Sequence, residues 1–190
     1  MHTDGVIRLS AFTANDVSTV LGADMDVEHR RWFEIPADFV PTPEHAQRVI
    51  DVWRHRLTSG RAPVYAARRC VDDVLVAGCD LQPDAWGVRL SYWTYPGFRR
   101  TGYGVRVARL ATAAAYDDLH ASRVYVEIAR ANIASLRTAA RAGFRVAPSP
   151  RDDASDTLCW HEVARAGKTV GGAETSWASA SDAHIDTPPS

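Results

Sequence analysis

The sequence predicts an α+β domain, one sheet with helices on its faces, and three observations carry that expectation. Short runs rich in β-branched, aliphatic and aromatic residues recur, as at residues 74–81 and 123–128. Between them lie stretches suited to helices, the clearest being residues 105–119, alanine-rich and free of glycine and proline. Counted through, the order is strand, two or three short helices, three antiparallel strands, helix, strand, helix and two strands.

Residues 6–9 form the first strand candidate, and Thr13 to Asp16 offer N-cap side chains for a helix from Val17 toward Leu21, ended by Gly22. Met25 to Glu34 carries a second short helical pattern with Val27, Trp32 and Phe33 as its apolar members. A proline-marked loop follows to Pro43. Thr42 caps the next helix, Pro43 occupies its first turn, Glu44 answers the dipole, and Gly60 stops it. Residues 63–67 and 74–81 read as strands around a turn at 71–73, leading into a third strand from Val88 to Trp93 that Pro96 and Gly97 interrupt. After the long helix, residues 123–128 form a strand. Asn132 caps a helix over 133–141, and Gly143 ends it. Residues 144–146 and 156–163 supply two closing strands. Residues 1–165 are thus expected to form one domain. The Gly-, Ser-, Ala-, Thr- and Pro-rich tail, residues 166–190, is expected to be disordered.

Composition narrows the function. A chain of 190 residues with net charge −1 buries a sizeable core and is unsuited to a nucleic-acid polyanion as its main partner. Arginine carries nearly all the basic charge, with Lys168 the sole lysine. Cys70, Cys79 and Cys159 have no metal-ligand spacing, and the histidines are scattered, so no metal is expected. The first 21 residues lack a continuous apolar core, and no run approaches membrane-spanning length. The expected location is therefore the cytoplasm, with no membrane partner.

The chemistry centres on residues 88–105: strand, turn, then Arg99-Arg100-Thr101-Gly102-Tyr103-Gly104-Val105 opening a helix. A helix start leaves N–H groups unpaired and carries the positive end of the dipole, so it attracts an anion. Gly102 and Gly104 let the backbone come close, and Arg99 and Arg100 add fixed charge. No Lys-Ser or Lys-Thr follows as in a Walker loop, and the third glycine of the dinucleotide fingerprint is missing.

The spacing Arg-x-x-Gly-x-Gly after a strand resembles the acetyl-coenzyme A signature of the GNAT N-acetyltransferase superfamily. Ser91-Tyr92-Trp93-Thr94-Tyr95-Pro96 resembles the Gly-Tyr-Trp-x-x-Pro segment of its ribosomal-protein N-terminal (Rim-type) branch. The segment Asn132-x-x-Ser135, with Arg141 before Gly143-Phe144, resembles a second family segment. The resemblance spans residues 6–163. It implies the GNAT fold, a central mostly antiparallel mixed sheet flanked by helices. The activity it implies is acetyl transfer from acetyl-coenzyme A (acetyl-CoA) to a primary amine, on a protein N-terminus or a small molecule, by direct attack on the thioester.

On that resemblance, residues 99–105 cradle the pyrophosphate, Trp93, Thr94 and Tyr95 form a backbone rail for pantetheine, and Asn132 and Ser135 also face the cofactor. Val-Glu127-Ile-x-x-x-Asn132 resembles the segment whose glutamate serves as base in ribosomal-protein alanine acetyltransferases, so Glu127 is the expected base. Glu28 or Glu34 acting through water is the alternative. Many members carry a tyrosine seven residues after the asparagine; here that residue is Ala139, and Ser135 is the substitute acid. Arg89 stands where the branch commonly has glutamate. Trp32 and Phe33 are expected to line the acceptor pocket, and Trp53, Trp86 and Trp160 to be core or sheet-face aromatics. Two other functions stay open: transfer of another acyl group such as succinyl, suited by extra arginines, and a coenzyme A-binding regulatory module without turnover. The family's frequent dimers leave a homodimer open.

Overall fold

The computed structural model describes residues 2–150 and 158–164. The 166–190 tail and the boundary at 165 therefore lie outside the described residues. Seven strands form one sheet: β1 (Ile7–Ser10), β2 (Val64–Arg69), β3 (Leu75–Asp84), β4 (Gly87–Thr94), β5 (Val124–Ala129), β6 (Arg145–Val146) and β7 (Leu158–Val163). Their order is β1-β2-β3-β4-β5-β7-β6. All neighbours are antiparallel except β4 and β5. This is the mostly antiparallel mixed sheet that the sequence implied.

The parallel pair governs the site. β4 and β5 are in register only at Val88–Val124 and Arg89–Tyr125. Gly87 starts that approach: it has φ 139°, and a Cβ there would sit 2.6 Å from the Arg123 carbonyl oxygen. Beyond Arg89 the strands part, since β4 stays paired with β3 through Thr94 while β5 pairs with β7 through Ala129. From Ser91 to Thr94 the outer edge of β4 has no strand neighbour among the described residues, leaving backbone groups free to pair with something else.

Strand alternation sends successive β4 side chains to opposite faces. Leu90 and Tyr92 pack with the core formed by helix α4 (Tyr103–Asp117), and Thr94 reaches Gly104 at its start. Trp93 turns the other way, into a core shared with helices α1 (Val17–Met25) and α3 (Pro43–Ser59). α4 lies close to the sheet because its buried face includes Ala108, Ala111, Ala114 and Ala115. Helix α5 (Ile133–Ala142) packs beside it, ended by Gly143 at φ 107°. α2 (Val27–Trp32) follows α1 directly.

Local signals place most of these ends. Thr42 accepts a hydrogen bond from the His45 N–H at 3.2 Å, and Gly60 leaves α3 in the left-handed conformation at φ 67°, as expected. Two expectations fail. Gly22 does not end α1, which runs through it to Met25; a glycine weakens a helix interior but does not block it. The stop comes at Asp26, whose extended backbone (ψ 126°) closes α1 while its side chain caps α2 by accepting from the His29 N–H at 2.8 Å. Trp86 sits in the exposed β3–β4 turn at 37% exposure instead of on a sheet face. Trp160 is buried and stacks on Tyr125 with centroids 3.8 Å apart.

Candidate active site

The loop after β4 folds back by two left-handed residues, Arg100 (φ 65°) and Gly102 (φ 88°), before α4 begins. The first intrahelical bond of α4 is Arg106 N–H to the Gly102 carbonyl at 3.3 Å. The N–H groups of Tyr103, Gly104 and Val105 therefore have no acceptor within the helix. Gly104 is a true close approach. A Cβ there would lie 3.2 Å from Thr94 Oγ1 and 3.3 Å from Thr138 Cγ2, which ties the start of α4 to both β4 and α5.

Around this start opens a cavity of about 610 Å³. It is lined by Trp93, Thr94, Arg99, Arg100, Gly102, Gly104 and Val105 from the β4–α4 segment and by Asn132, Ser135 and Thr138 from α5. Thr138 and Arg141 also line it, and the sequence singled neither out for this role. Their i, i+3 spacing from Ser135 put all three on one helix face, and that was the available signal. Thr101, Tyr103 and Tyr95 do not line this cavity. The Thr101 hydroxyl donates back to the Phe98 carbonyl at 2.5 Å, and the Tyr103 ring packs edge-on against Phe98.

Asn132 caps α5, its Oδ1 accepting from the Ser135 N–H at 3.1 Å. Ser135 Oγ lies 3.0 Å from the Tyr92 hydroxyl, which also donates to the Ser135 carbonyl at 2.9 Å. Burial, partly offset by its hydrogen bond to Ser135, pushes the Tyr92 phenol up to about 12. It thus stays protonated at neutral pH. Tyr92 is a cavity-lining hydroxyl that the sequence reading passed over as a strand aromatic.

Arg99 does not stand free. Its Nη2 pairs with Asp26 Oδ1 at 2.5 Å and its Nη1 with Glu28 Oε2 at 3.0 Å, so the loop is tied to α2. Arg99 in turn holds the Asp26 carboxyl below its usual range against the cost of burial.

A second cavity of about 560 Å³ opens on the other face of the sheet. Its walls are mainly apolar: Phe33, Phe39, Val49, Trp53, Trp93 and Tyr95. Trp93 stands at its centre, with Phe33 edge-on at 5.8 Å and Trp53 at 5.6 Å. The Tyr95 hydroxyl is buried beside the Trp93 indole N–H but makes no hydrogen bond of ordinary geometry among the described residues. Asp24 lines this cavity with a side chain only 13% exposed. The basic side chain found within 4.0 Å of it among the described residues is His29, whose Nε2 lies at 3.9 Å and beyond hydrogen-bond reach. Burial raises its carboxyl above the usual value, opposed by the fields of His45 and Arg30. Asp80, by contrast, is matched by Arg56 at 2.5 Å.

Phe33 lines both cavities, as do Trp93 and His29, so the two spaces meet there. Trp32 lines only the first, with Arg31 stacked on its ring at 4.7 Å. Glu127 lines neither. It shares a β5 face with Tyr125, opposite to core residues Val126 and Ile128, and its Oε2 lies 3.7 Å from Arg89 Nη1. Arg89 also donates to Gln82. No cluster of potential metal ligands occurs among the described residues, and no helix there is long and apolar enough to cross a membrane.

A helix start with unpaired N–H groups, a strand edge left open beside it and a separate apolar cavity meet around Trp93. The class of protein is shown by comparison with known families. A model of the acetyltransferase (GNAT) domain matches residues 7–145, and the chain belongs to the GNAT acetyltransferase family. Similar solved structures include Mycobacterium smegmatis RimJ in complex with CoA-disulfide (14% identity, TM-score 0.68, covering 84% of this chain and 82% of that one). The ribosomal-protein-S5-alanine acetyltransferase of Vibrio fischeri is similar too (11%, TM-score 0.64, 82% and 91%). So is AAC(6')-Ib in complex with paromomycin and acetyl-CoA (13%, TM-score 0.63, 84% and 94%). At these identities the likeness is one of fold. No curated protein sequence matches the chain.

Proposed function

We propose that the protein transfers an acetyl group from acetyl-CoA to a primary amine carried on an apolar body, by direct attack on the thioester. The observation that carries this reading is the half-buried Asp24 carboxylate in an aromatic-walled cavity, lacking a cation at bonding distance, where that cavity meets the anion-binding one. A buried carboxylate without a partner is costly, and an ammonium group relieves it. The aromatic walls take the rest of the acceptor. A volume of about 560 Å³ suits one drug-sized amine or the first residues of a peptide N-terminus.

In this reading the pyrophosphate rests on the N–H groups of Tyr103 to Val105, with Arg100 and Arg141 at the rim. Pantetheine extends along the open β4 edge from Thr94 toward Ser91, bringing the thioester to the meeting point of the cavities. Holding both reactants there converts a bimolecular encounter into a local one. Ser135 donates a proton to the leaving thiolate and regains one from solvent through the cavity, while the Tyr92 hydroxyl, bonded to the Ser135 carbonyl and 3.0 Å from its Oγ, holds it in place. Arg89 and Arg99 are already paired with Glu127, Asp26 and Glu28, which favours an uncharged acetyl group over a dicarboxylic acyl group.

The test is titration of the pure protein with acetyl-CoA and then succinyl-CoA, following thiol release against a panel of hydrophobic amines, polyamines and peptides. Release with apolar primary amines and acetyl-CoA is expected. Release only with succinyl-CoA would reassign the acyl group. Tight binding with no release for any amine would instead favour a coenzyme A-binding regulator.

A further inference from the structure

The reaction needs a group that takes a proton from the amine nitrogen as the N–C bond forms, placed where acceptor and thioester meet. Among the described residues, three line both cavities: His29, Phe33 and Trp93. Only the imidazole can accept a proton. We propose that His29 is the catalytic base of this enzyme, with Asp24 as its positioning partner on the acceptor side. This inference rests on the acetyl-transfer reading and deepens it.

The ring is held on one face. It stacks on Phe33 with centroids 4.3 Å apart, fixing its plane against the acceptor wall. Its own residue is anchored because the His29 N–H bonds the Asp26 side chain, which Arg99 grips in turn. The base therefore sits on a helix that the cofactor loop itself holds in place. Asp24 Oδ1 from α1 lies 3.9 Å from Nε2, beyond direct hydrogen-bond reach. The other charged groups around the ring are Asp26 and Glu28 on α2, Arg99 from the loop, and Glu34, His45 and Arg89 lining the adjoining cavities. Burial is the largest influence on the ring and, with the field of Arg99, outweighs Asp26, lowering it from the usual 6.5 to about 4. The ring is thus unprotonated at neutral pH before the amine binds.

The step balances simply. The uncharged amine attacks the thioester carbonyl carbon, the N–C bond forms, and the C–S bond breaks as coenzyme A leaves as thiolate. The nitrogen proton passes to His29, the thiolate takes up one proton, and His29 returns its own to solvent. Asp24 stabilises the imidazolium that forms in between.

The experiment uses the full chain. Imidazole signals are followed by NMR on adding coenzyme A, and kinetics are measured for wild type, His29→Gln and Glu127→Gln. The His29 ring is expected to be neutral at pH 7 and to shift when coenzyme A fills the neighbouring cavity. His29→Gln is expected to lower kcat about 100-fold or more, within the usual span for a general base. Acetyl-CoA affinity should change less than threefold, and the loss should shrink as pH rises toward the pKa of the amine. Asp24→Asn should preserve the NMR response to coenzyme A while weakening the amine KM and lowering kcat, because it removes the charge that stabilises the imidazolium. A protonated ring at pH 7, a silent ring, or an undiminished kcat in His29→Gln would overturn the assignment while leaving acetyl transfer intact. So would transfer of the pH-dependent limb to Glu127→Gln. A wild type with no thiol release for any amine would overturn the transfer reading, and His29 as base with it.

Discussion

The two cavities on either side of β4 are built by different means. The cavity at the start of α4, the cofactor side in the proposed reading, is made largely of backbone: a helix start, two left-handed loop residues, an open strand edge and one glycine wedged between Thr94 and Thr138. The cavity proposed for the acceptor is made of side chains from α1, α2, the 33–39 loop, α3, β3 and β4. Main-chain recognition tolerates little change at a few glycines and caps, whereas side-chain recognition can be retuned residue by residue. In the proposed reading, the invariant cofactor contacts therefore fall on the rigid side and the choice of acceptor on the adjustable one.

The sharpest way to break that contrast is at Gly104. Gly104→Glu puts a Cβ within 3.3 Å of two threonines and a negative charge at an anion site. Acetyl-CoA affinity is expected to fall about 100-fold or more, a change of roughly 3 kcal/mol, while circular dichroism stays that of the folded domain. Affinity retained by calorimetry would remove α4 as the cradle. Asp24→Asn addresses the opposite side. Loss of a charge-assisted contact predicts about a tenfold rise in amine KM, with the acetyl-CoA Kd within twofold. An effect on acetyl-CoA of equal size would mean the cavities are not separable.

Gly143→Ala asks about scaffold and not chemistry. Its Cβ would meet only Val163 at 3.8 Å, so the cost comes from φ 107° alone. A loss of about 1 kcal/mol is expected, read as a Tm lower by a few degrees with KM values unchanged. Arg99→Ala should have the smallest effect, since partly exposed ion pairs contribute about 0.2–1 kcal/mol. It is informative because Arg99 joins the cofactor loop to α2: both KM values should rise two- to fivefold together. A rise confined to acetyl-CoA would make Arg99 a phosphate ligand and nothing more.

The parts of the site legible in the sequence are those written locally. The Asn132 cap and the Gly143 exit of α5 are set within about ten residues of chain, and the structure places both as read. The glycines of the loop were readable for the same reason. Glu127 was readable as a carboxylate near a cap, yet its surroundings were not: Arg89, 38 positions earlier, approaches it only because β4 and β5 run parallel. His29 looked like one scattered histidine among several. Its place depends on Asp26 ending one helix and starting the next, on Arg99 gripping that cap, and on Trp93 turning away from α4.

The sequence by itself determined the fold class, the element order, the glycine-bearing start of α4 and the resemblance to acetyltransferases. Hydrophobic period, caps and glycines act over a few residues and need no distant partner. The tertiary structure alone decided that β4 and β5 part after Arg89, that two cavities meet at Trp93, and that a histidine stands where they do. Those outcomes depend on how strands choose neighbours across the sheet, and a choice made between segments dozens of residues apart leaves no local mark.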